Sequence, residues 1–156
     1  SLAGYDSIRR IKLEVVTSNS DRSQKIAQWL QKELRVKLGA DVSLQVFDYK
    51  AFRSQLDFGG FHLFDGVWGA DFPLASNFLE IFTSLSGNNR TQWKNPQYDQ
   101  WIQEGKIKEA QKHLIEKEIV VIPLFYEPNS VLVKSRVRGL VLNPLNYLFL
   151  GETNVQ

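Results

Sequence analysis

Residues 11–46, which read IKLEVVTSNSDRSQKIAQWLQKELRVKLGADVSLQV, decide the fold class of this chain. Apolar and charged residues alternate from Ile11 to Val16, and apolar residues alternate again from Val42 to Val46, so each run predicts a β-strand. Between these runs, apolar residues recur at helical spacing from Ile26 to Leu38, just before Gly39, a residue suited to ending a helix. Such a strand–helix–strand unit favours parallel strands and therefore an α/β fold.

The segments that follow extend this pattern along the chain. A third strand is predicted at 61–64, and the segment after it should lie at the carboxyl end of the sheet, where open α/β sheets tend to place ligand sites. The sequence further predicts helices at 49–56, 77–84, 98–102 and 106–118, strands at 119–126 and 130–134, and a turn at Glu127-Pro128-Asn129 between those two strands.

The segment after the third predicted strand reads Phe64-Asp65-Gly66-Val67-Trp68-Gly69-Ala70-Asp71-Phe72-Pro73. Gly69 allows the backbone to turn or to approach a ligand closely, and Pro73 restricts the backbone just after Asp71. Trp68 and Asp71 together can supply a stacking face and a charge partner for a cationic ligand. Taken alone, the residues favour a simpler interpretation, which is a turn with a core tryptophan and a capping aspartate.

Length and composition narrow the classes of function. The 156 residues are enough for one domain with a sizeable core, and a net charge of +2 is too small to indicate a nucleic-acid partner or a membrane surface. The absence of cysteine excludes disulfides, a thiolate nucleophile and cysteine-based metal sites. No run of residues has the length of a membrane span, and no signal peptide is visible.

Few residues suggest catalysis. Neither His62 nor His113 has the spacing of a metal-binding or catalytic motif, so no metal site and no cofactor is predicted. Serine-hydrolase and phosphate-binding fingerprints are also missing from the sequence. A paired-carboxylate site formed by Asp65 and Asp71 stays open, and it defines the alternative hypothesis of an α/β enzyme.

A series of motifs runs in order along nearly the whole chain. The motifs are Trp68-Gly69-Ala70-Asp71-Phe72-Pro73, Asn77-Phe78-Leu79, Ser86-Gly87-Asn88-Asn89, Asn95-Pro96-Gln97-Tyr98-Asp99, Ile122-Pro123-Leu124-Phe125-Tyr126 and Val133-Lys134-Ser135-Arg136-Val137-Arg138-Gly139. In this order they resemble the motifs of the dipeptide/oligopeptide-binding family (family 5) of extracytoplasmic solute-binding proteins, which serve ABC importers.

The resemblance implies one lobe of a two-lobed periplasmic-binding-protein-like fold, an α/β lobe with a mixed sheet flanked by helices. Residues 1–156 would form the single C-terminal lobe of a longer exported protein, with about 127–156 returning toward the missing N-terminal lobe. Hinges would lie near Gly4-Tyr5 and Phe125-Tyr126-Glu127. Such a protein performs no chemistry. It acts in the periplasm or on the extracytoplasmic face of a bacterial membrane, captures a small peptide and delivers it to a membrane permease.

The resemblance also assigns roles to individual residues. Asp71 would hold the ammonium group of a peptide, Trp68 would pack beside the side-chain pockets, and the backbone at Gly66 and Val67 would pair with the peptide as an added strand. Gly69 lies inside the same motif. Asp65 stands where some oligopeptide binders carry an arginine for the peptide carboxylate, which favours a cationic ligand or a different peptide length.

Two further departures leave the ligand open. Leu74-Ala75 replace the Asp-Pro that usually follows Pro73 in the family. Members of this fold also bind metal chelates, haem, opines and sugars, so a non-peptide ligand remains an alternative.

Overall fold

The structure is a computed structural model that describes residues 11–126, 130–143, 145 and 147–156. The chain divides into two compact units, Ser1–Val67 and Trp68–Gln156. The expectation that residues 1–156 form a single lobe stays a prediction. The hinge expected at Gly4-Tyr5, the Glu127 end of the second hinge and the turn at Glu127-Pro128-Asn129 lie outside the described residues.

The first unit is built on a parallel sheet of three strands. The strands are β1 (Lys12–Ser18), β2 (Asp41–Phe47) and β3 (Leu63–Phe64), in the order β2-β1-β3. Both pairings are parallel, and the β1–β2 register runs without interruption from Lys12 opposite Asp41 to Ser18 opposite Phe47. The predicted strand–helix–strand unit is therefore confirmed, and the third strand is shorter than the sequence indicated.

Two helices follow the capping signals in the sequence. Helix α1 (Asp21–Leu38) begins after Ser20, whose hydroxyl accepts a hydrogen bond from the Ser23 backbone N–H at 3.2 Å. The helix ends at Gly39, which adopts a left-handed conformation (φ 64°) that costs glycine little. Helix α2 (Tyr49–Phe58) begins after Asp48, whose carboxylate caps its first turn.

The core of the first unit lies on both faces of the sheet. Neighbouring residues of a strand point to opposite faces, and Val15 and Val16 of β1 belong to different core clusters. Val15 packs with Ala27 of α1, and Val16 packs with Phe52 of α2. Both valines are almost fully buried. One helix therefore covers each face, which is the layered arrangement of an α/β fold.

The second unit combines short helices with two antiparallel strand pairs. Its helices are α3 (Ser76–Leu79), a 3-10 turn at Glu80–Phe82, α4 (Pro96–Gln103) and α5 (Ile107–Lys112), which continues as a π-helical turn at His113–Lys117. Its strands are β4 (Val137–Arg138), β5 (Val141–Leu142), β6 (Leu148–Phe149) and β7 (Asn154–Val155), paired as β4–β7 and β5–β6. The core of this unit contains Leu79, Tyr98, Ala110 and Leu114, all buried.

The prediction of strands at 119–126 and 130–134 is wrong. Residues 119–126 and 130–134 form neither helix nor strand in the structure, and apolar side chains such as Tyr126 and Leu132 are fully exposed. Their β-branched and apolar residues favour an extended strand locally, but a strand also needs a neighbouring strand that completes its backbone hydrogen bonds. Within the described residues no strand lies beside either segment.

None of the helices in the described part of the chain combines the length and the apolar content that a membrane span requires.

Candidate ligand-binding site

Asp65 directly follows β3, at the carboxyl edge of the parallel sheet. Its carboxylate accepts a hydrogen bond of 2.6 Å from the hydroxyl of Thr17, which lies near the carboxyl end of the adjacent strand β1. Thr17 is fully buried and Asp65 is half-buried. A short bond to an ionised carboxylate is among the stronger hydrogen bonds, so Thr17 fixes the position of this acid relative to the sheet.

The backbone after Asp65 leaves the sheet without a partner. Gly66 and Val67 are exposed, and within the described residues their backbone groups make no hydrogen bond to other parts of the chain. Unpaired N–H and C=O groups next to a strand are what a bound peptide strand would use. The role assigned to this backbone by resemblance stays a prediction, and the geometry leaves the required groups free.

The second unit begins with the other part of the motif, and one buried side chain organises it. Asn77, on α3, is 5% exposed, and its side-chain oxygen Oδ1 accepts two hydrogen bonds. One comes from the indole Nε1–H of Trp68 at 3.1 Å and the other from the backbone N–H of Asp71 at 3.0 Å. The tryptophan and the aspartate of the motif are therefore held by the same atom.

Trp68 and Asp71 differ in how much of each side chain is accessible to a ligand. Trp68 is half-buried, whereas Asp71 is exposed. The Asp71 carboxylate has no hydrogen bond and no ion pair within the part of the chain that the structure describes. The interpretation of Asp71 as a capping aspartate is not supported, because its backbone N–H, and not its carboxylate, makes the hydrogen bond.

The helix that carries Asn77 is anchored to the core. The hydroxyl of Tyr98, a fully buried residue on α4, donates a 2.8 Å hydrogen bond to the carbonyl of Leu79 on α3. Burial and, to a smaller degree, the negative charge of Asp99 raise the pKa of the Tyr98 phenol well above its ordinary value. The phenol therefore keeps its proton and its role as donor at physiological pH.

The resemblance to the family assigned no role to the motif Asn95-Pro96-Gln97-Tyr98-Asp99. In the structure its residues stabilise α4 and the chain beside it. Asn95 caps α4 by accepting a hydrogen bond from the Tyr98 backbone N–H at 3.0 Å. Asp99 accepts one from the backbone N–H of Ser84 at 2.9 Å, which fixes the chain after the 3-10 turn.

The loop motif Ser86-Gly87-Asn88-Asn89 is held from within by its last residue. The side-chain amide of Asn89 donates to the carbonyls of Phe82, Thr83 and Trp93, and its oxygen accepts from Thr91. This asparagine therefore braces a loop, which explains the residue without any contact to a ligand.

The two histidines have structural contacts. His62 accepts a hydrogen bond from the Glu14 backbone N–H through Nδ1 at 3.1 Å. The ring of His113 packs near Trp93 and Trp101, and only 22% of its side chain is exposed. Among the described residues, no group of three or more histidine, cysteine or acidic side chains could hold a metal ion.

Several curated proteins are similar to this chain, although no protein-family model matches it. The chain is 31% identical to the probable deoxycholate-binding periplasmic protein YgiS of Escherichia coli (strain K12), over 99% of this chain and 31% of that protein. It is 28% identical to the periplasmic murein peptide-binding protein MppA of the same organism, over 92% of this chain and 28% of that protein.

Solved structures show the same fold. The Escherichia coli murein tripeptide binding protein MppA matches with a TM-score of 0.69 and 28% identity, over 74% of this chain and 25% of that one. Listeria monocytogenes OppA bound to peptide matches with a TM-score of 0.79 and 23% identity, over 94% of this chain and 30% of that one. At 23% identity the second match supports the fold alone.

In sequence and in fold the chain is similar to extracytoplasmic solute-binding proteins. The chain is related to the dipeptide/oligopeptide-binding family of these proteins, as its motifs predicted. It spans less than a third of the length of the curated relatives it matches. The predicted α/β fold is confirmed as well, with parallel and antiparallel strand pairs in separate sheets.

Proposed function

We propose that this chain is the ligand-capturing part of a substrate-binding protein of an ABC importer. In this proposal it binds a small peptide, acts outside the cytoplasm, and passes the peptide to a membrane permease without altering it. Support comes from relatives whose names describe periplasmic peptide-binding proteins. The rest of a protein of their length would supply the second wall of the ligand cleft.

The observation that carries the proposal is the exposed, unpartnered carboxylate of Asp71 beside a fixed tryptophan. The backbone of Asp71 is held by Asn77, while its carboxylate has no partner among the described residues. When a ligand covers such a group and removes it from water, the charge needs a new partner. The α-ammonium group of a peptide provides both the opposite charge and hydrogen-bond donors.

The negative charge of Asp71 also affects which ligands the site would favour. The relative with 31% identity is named as a probable deoxycholate-binding protein, and deoxycholate carries a carboxylate. An anionic ligand would face repulsion from the carboxylate of Asp71. This acid therefore favours ligands with a free amine over bile acids.

Calorimetric titration of the full-length protein tests the proposal. Di-, tri- and tetrapeptides with free amino termini should bind, deoxycholate should bind far more weakly, and a recovered ligand should be chemically unchanged. Tight binding of deoxycholate without peptide binding would assign the site to steroid acids. Turnover of a bound substrate that Asp65→Asn or Asp71→Asn abolishes would instead support the enzyme hypothesis.

A further inference from the structure

We propose that Asn77 is the positioning residue of this site, holding Trp68 and Asp71 in the geometry that a ligand meets. The inference rests on the proposed function for its effect on binding, but the geometry itself can be measured without any ligand. Asn77 was matched only as part of a motif, and no role follows from its place in the sequence.

The hydrogen bonds of Asn77 define the orientation of its side chain. A carbonyl oxygen has two lone pairs, and Oδ1 uses them for the Trp68 indole N–H and the Asp71 backbone N–H. Rotating the amide by 180° would point its NH₂ group at two donors, so the observed orientation is the one that the partners permit. Because the side chain is 5% exposed, little water is available to replace either bond.

This arrangement determines what each partner can still offer. The indole N–H of Trp68 is occupied, so the tryptophan presents ring surface to a ligand rather than a hydrogen-bond donor. The backbone N–H of Asp71 is also occupied, so Asp71 offers a ligand its carboxylate rather than its amide donor. Asn77 thus separates an apolar contact from an acidic one, which suits an ammonium group next to an apolar side chain.

The position of Asn77 is itself secured from the core. Leu79 lies two residues further along α3, and its carbonyl accepts the hydrogen bond from buried Tyr98. Leu79 is also part of the buried core of the second unit. A four-residue helix has little stability of its own, so these tertiary contacts give Asn77 a fixed place from which to hold the loop.

The test uses the indole N–H and backbone N–H signals of isotope-labelled protein in NMR spectra. Asn77→Leu removes the acceptor while keeping a branched side chain and a good helix former. The Trp68 indole signal, identified among the four tryptophans by its loss in Trp68→Phe, should shift and exchange with water about tenfold faster or more. The Asp71 amide should respond in the same way.

Two further variants separate positioning from general destabilisation. Asn77→Asp keeps an accepting oxygen and should restore slow exchange at both groups. Asn89→Leu is the matched control, because Asn89 braces a neighbouring loop and should leave the Trp68 and Asp71 signals unchanged. Unaltered Trp68 and Asp71 exchange in Asn77→Leu would overturn the inference, as would an equal change in Asn89→Leu.

Ligand titration of the same variants in the full-length protein adds the functional readout. Affinity for free-amino peptides should fall about tenfold in Asn77→Leu, and much less in a Trp68→Phe background, where one of the two bonds is already absent. Normal peptide affinity in an Asn77→Leu protein with altered exchange would also overturn the positioning role. If wild type binds no peptide, the proposed function fails, and the exchange data still decide whether Asn77 holds the loop.

Discussion

Asp65 and Asp71 belong to the same short segment of the sequence, yet their carboxylates differ in their hydrogen-bond partners. Asp65 accepts a hydrogen bond from buried Thr17, whereas the carboxylate of Asp71 has no partner within the described residues. A carboxylate with an internal partner has part of its hydrogen-bonding capacity already used. Asp71 is therefore the acid with more capacity for a ligand, and Asp65 is the acid that the sheet holds in place.

Replacing Asp71 by asparagine tests this distinction. The change keeps the shape of the side chain and removes its charge, so free-amino peptides should bind the full-length protein about ten- to a hundredfold more weakly. N-acetylated peptides lack the ammonium group and should be little affected. Paired titrations of free and acetylated ligands on wild type and variant give the answer. Equal losses for both ligands would leave Asp71 with a structural role only.

At the scale of the elements, the positions of Trp68 and Asp71 depend on the link between α4 and α3. A buried phenol connects the two helices by donating a hydrogen bond to a backbone carbonyl at the end of α3. The short α3 thus relies on α4 for its position, and any loss at this contact should reach the loop that α3 holds.

Tyr98→Phe should therefore destabilise the protein. The ring is kept and the hydroxyl is lost, which removes a buried hydrogen bond to the Leu79 carbonyl at a cost of about 1 kcal/mol in the free energy of unfolding. Urea denaturation of wild type and variant measures the difference. Tyr49→Phe, at an exposed tyrosine, is the control and should change stability little.

The raised pKa of Tyr98 adds a pH dependence with a definite sign. In the unfolded chain the phenol loses its proton near its ordinary pKa, about 10, whereas in the folded protein it keeps the proton to higher pH. The folded state then binds more protons than the unfolded state, so stability should fall as pH rises above this value. The Tyr98→Phe variant should lack this component, and a parallel alkaline decline in both proteins would contradict the assignment.

At the scale of the whole molecule, the 156-residue chain exposes apolar surface on its last strands. Val141 faces Phe149 and Leu142 faces Leu148 in the β5–β6 pair, and all four side chains are between 38% and 55% exposed. Leu150, beside them, is 63% exposed. Large apolar side chains are therefore exposed on both faces of this strand pair, and such exposure is typical of surfaces that contact another molecule or another part of a protein.

We expect the isolated chain to self-associate or to bind a hydrophobic dye. Analytical ultracentrifugation and dye fluorescence measure the two effects. Leu148→Lys together with Phe149→Lys should reduce both, whereas Lys substitutions at exposed polar positions such as Gln97 should not. A monodisperse wild-type monomer that does not bind the dye would contradict this expectation.

The isolated chain should also bind peptides weakly. Ligand sites of this kind bury most of the ligand surface, and this chain spans less than a third of its relatives' length. Calorimetry of the 156-residue chain against the peptides that bind the full-length protein tests this. Sub-micromolar affinity for the chain alone would show that it is a self-sufficient binder.

Elements whose signals are local could be predicted from the sequence. Alternation predicted β1 and β2, helical spacing predicted α1, and Gly39 marked the end of α1, because each depends on a few neighbouring residues. Parallel pairing followed from the length of the crossover between the strands, and the ordered motifs indicated the family. The strand and helix signals lie in short windows of the chain, and the family resemblance rests on short motifs that follow one another in a fixed order.

Features that depend on contacts between distant residues could be described only from the tertiary structure. The segments 119–126 and 130–134 have the composition of strands, but a strand forms only where another part of the chain completes its hydrogen bonds. In the same way, no periodicity brings Asn77 to Trp68 and Asp71, which lie nine and six residues away across an irregular loop. Such a contact depends on the position that Tyr98 and the core give to α3, and an irregular loop has no repeating geometry from which the partners of a side chain could be predicted.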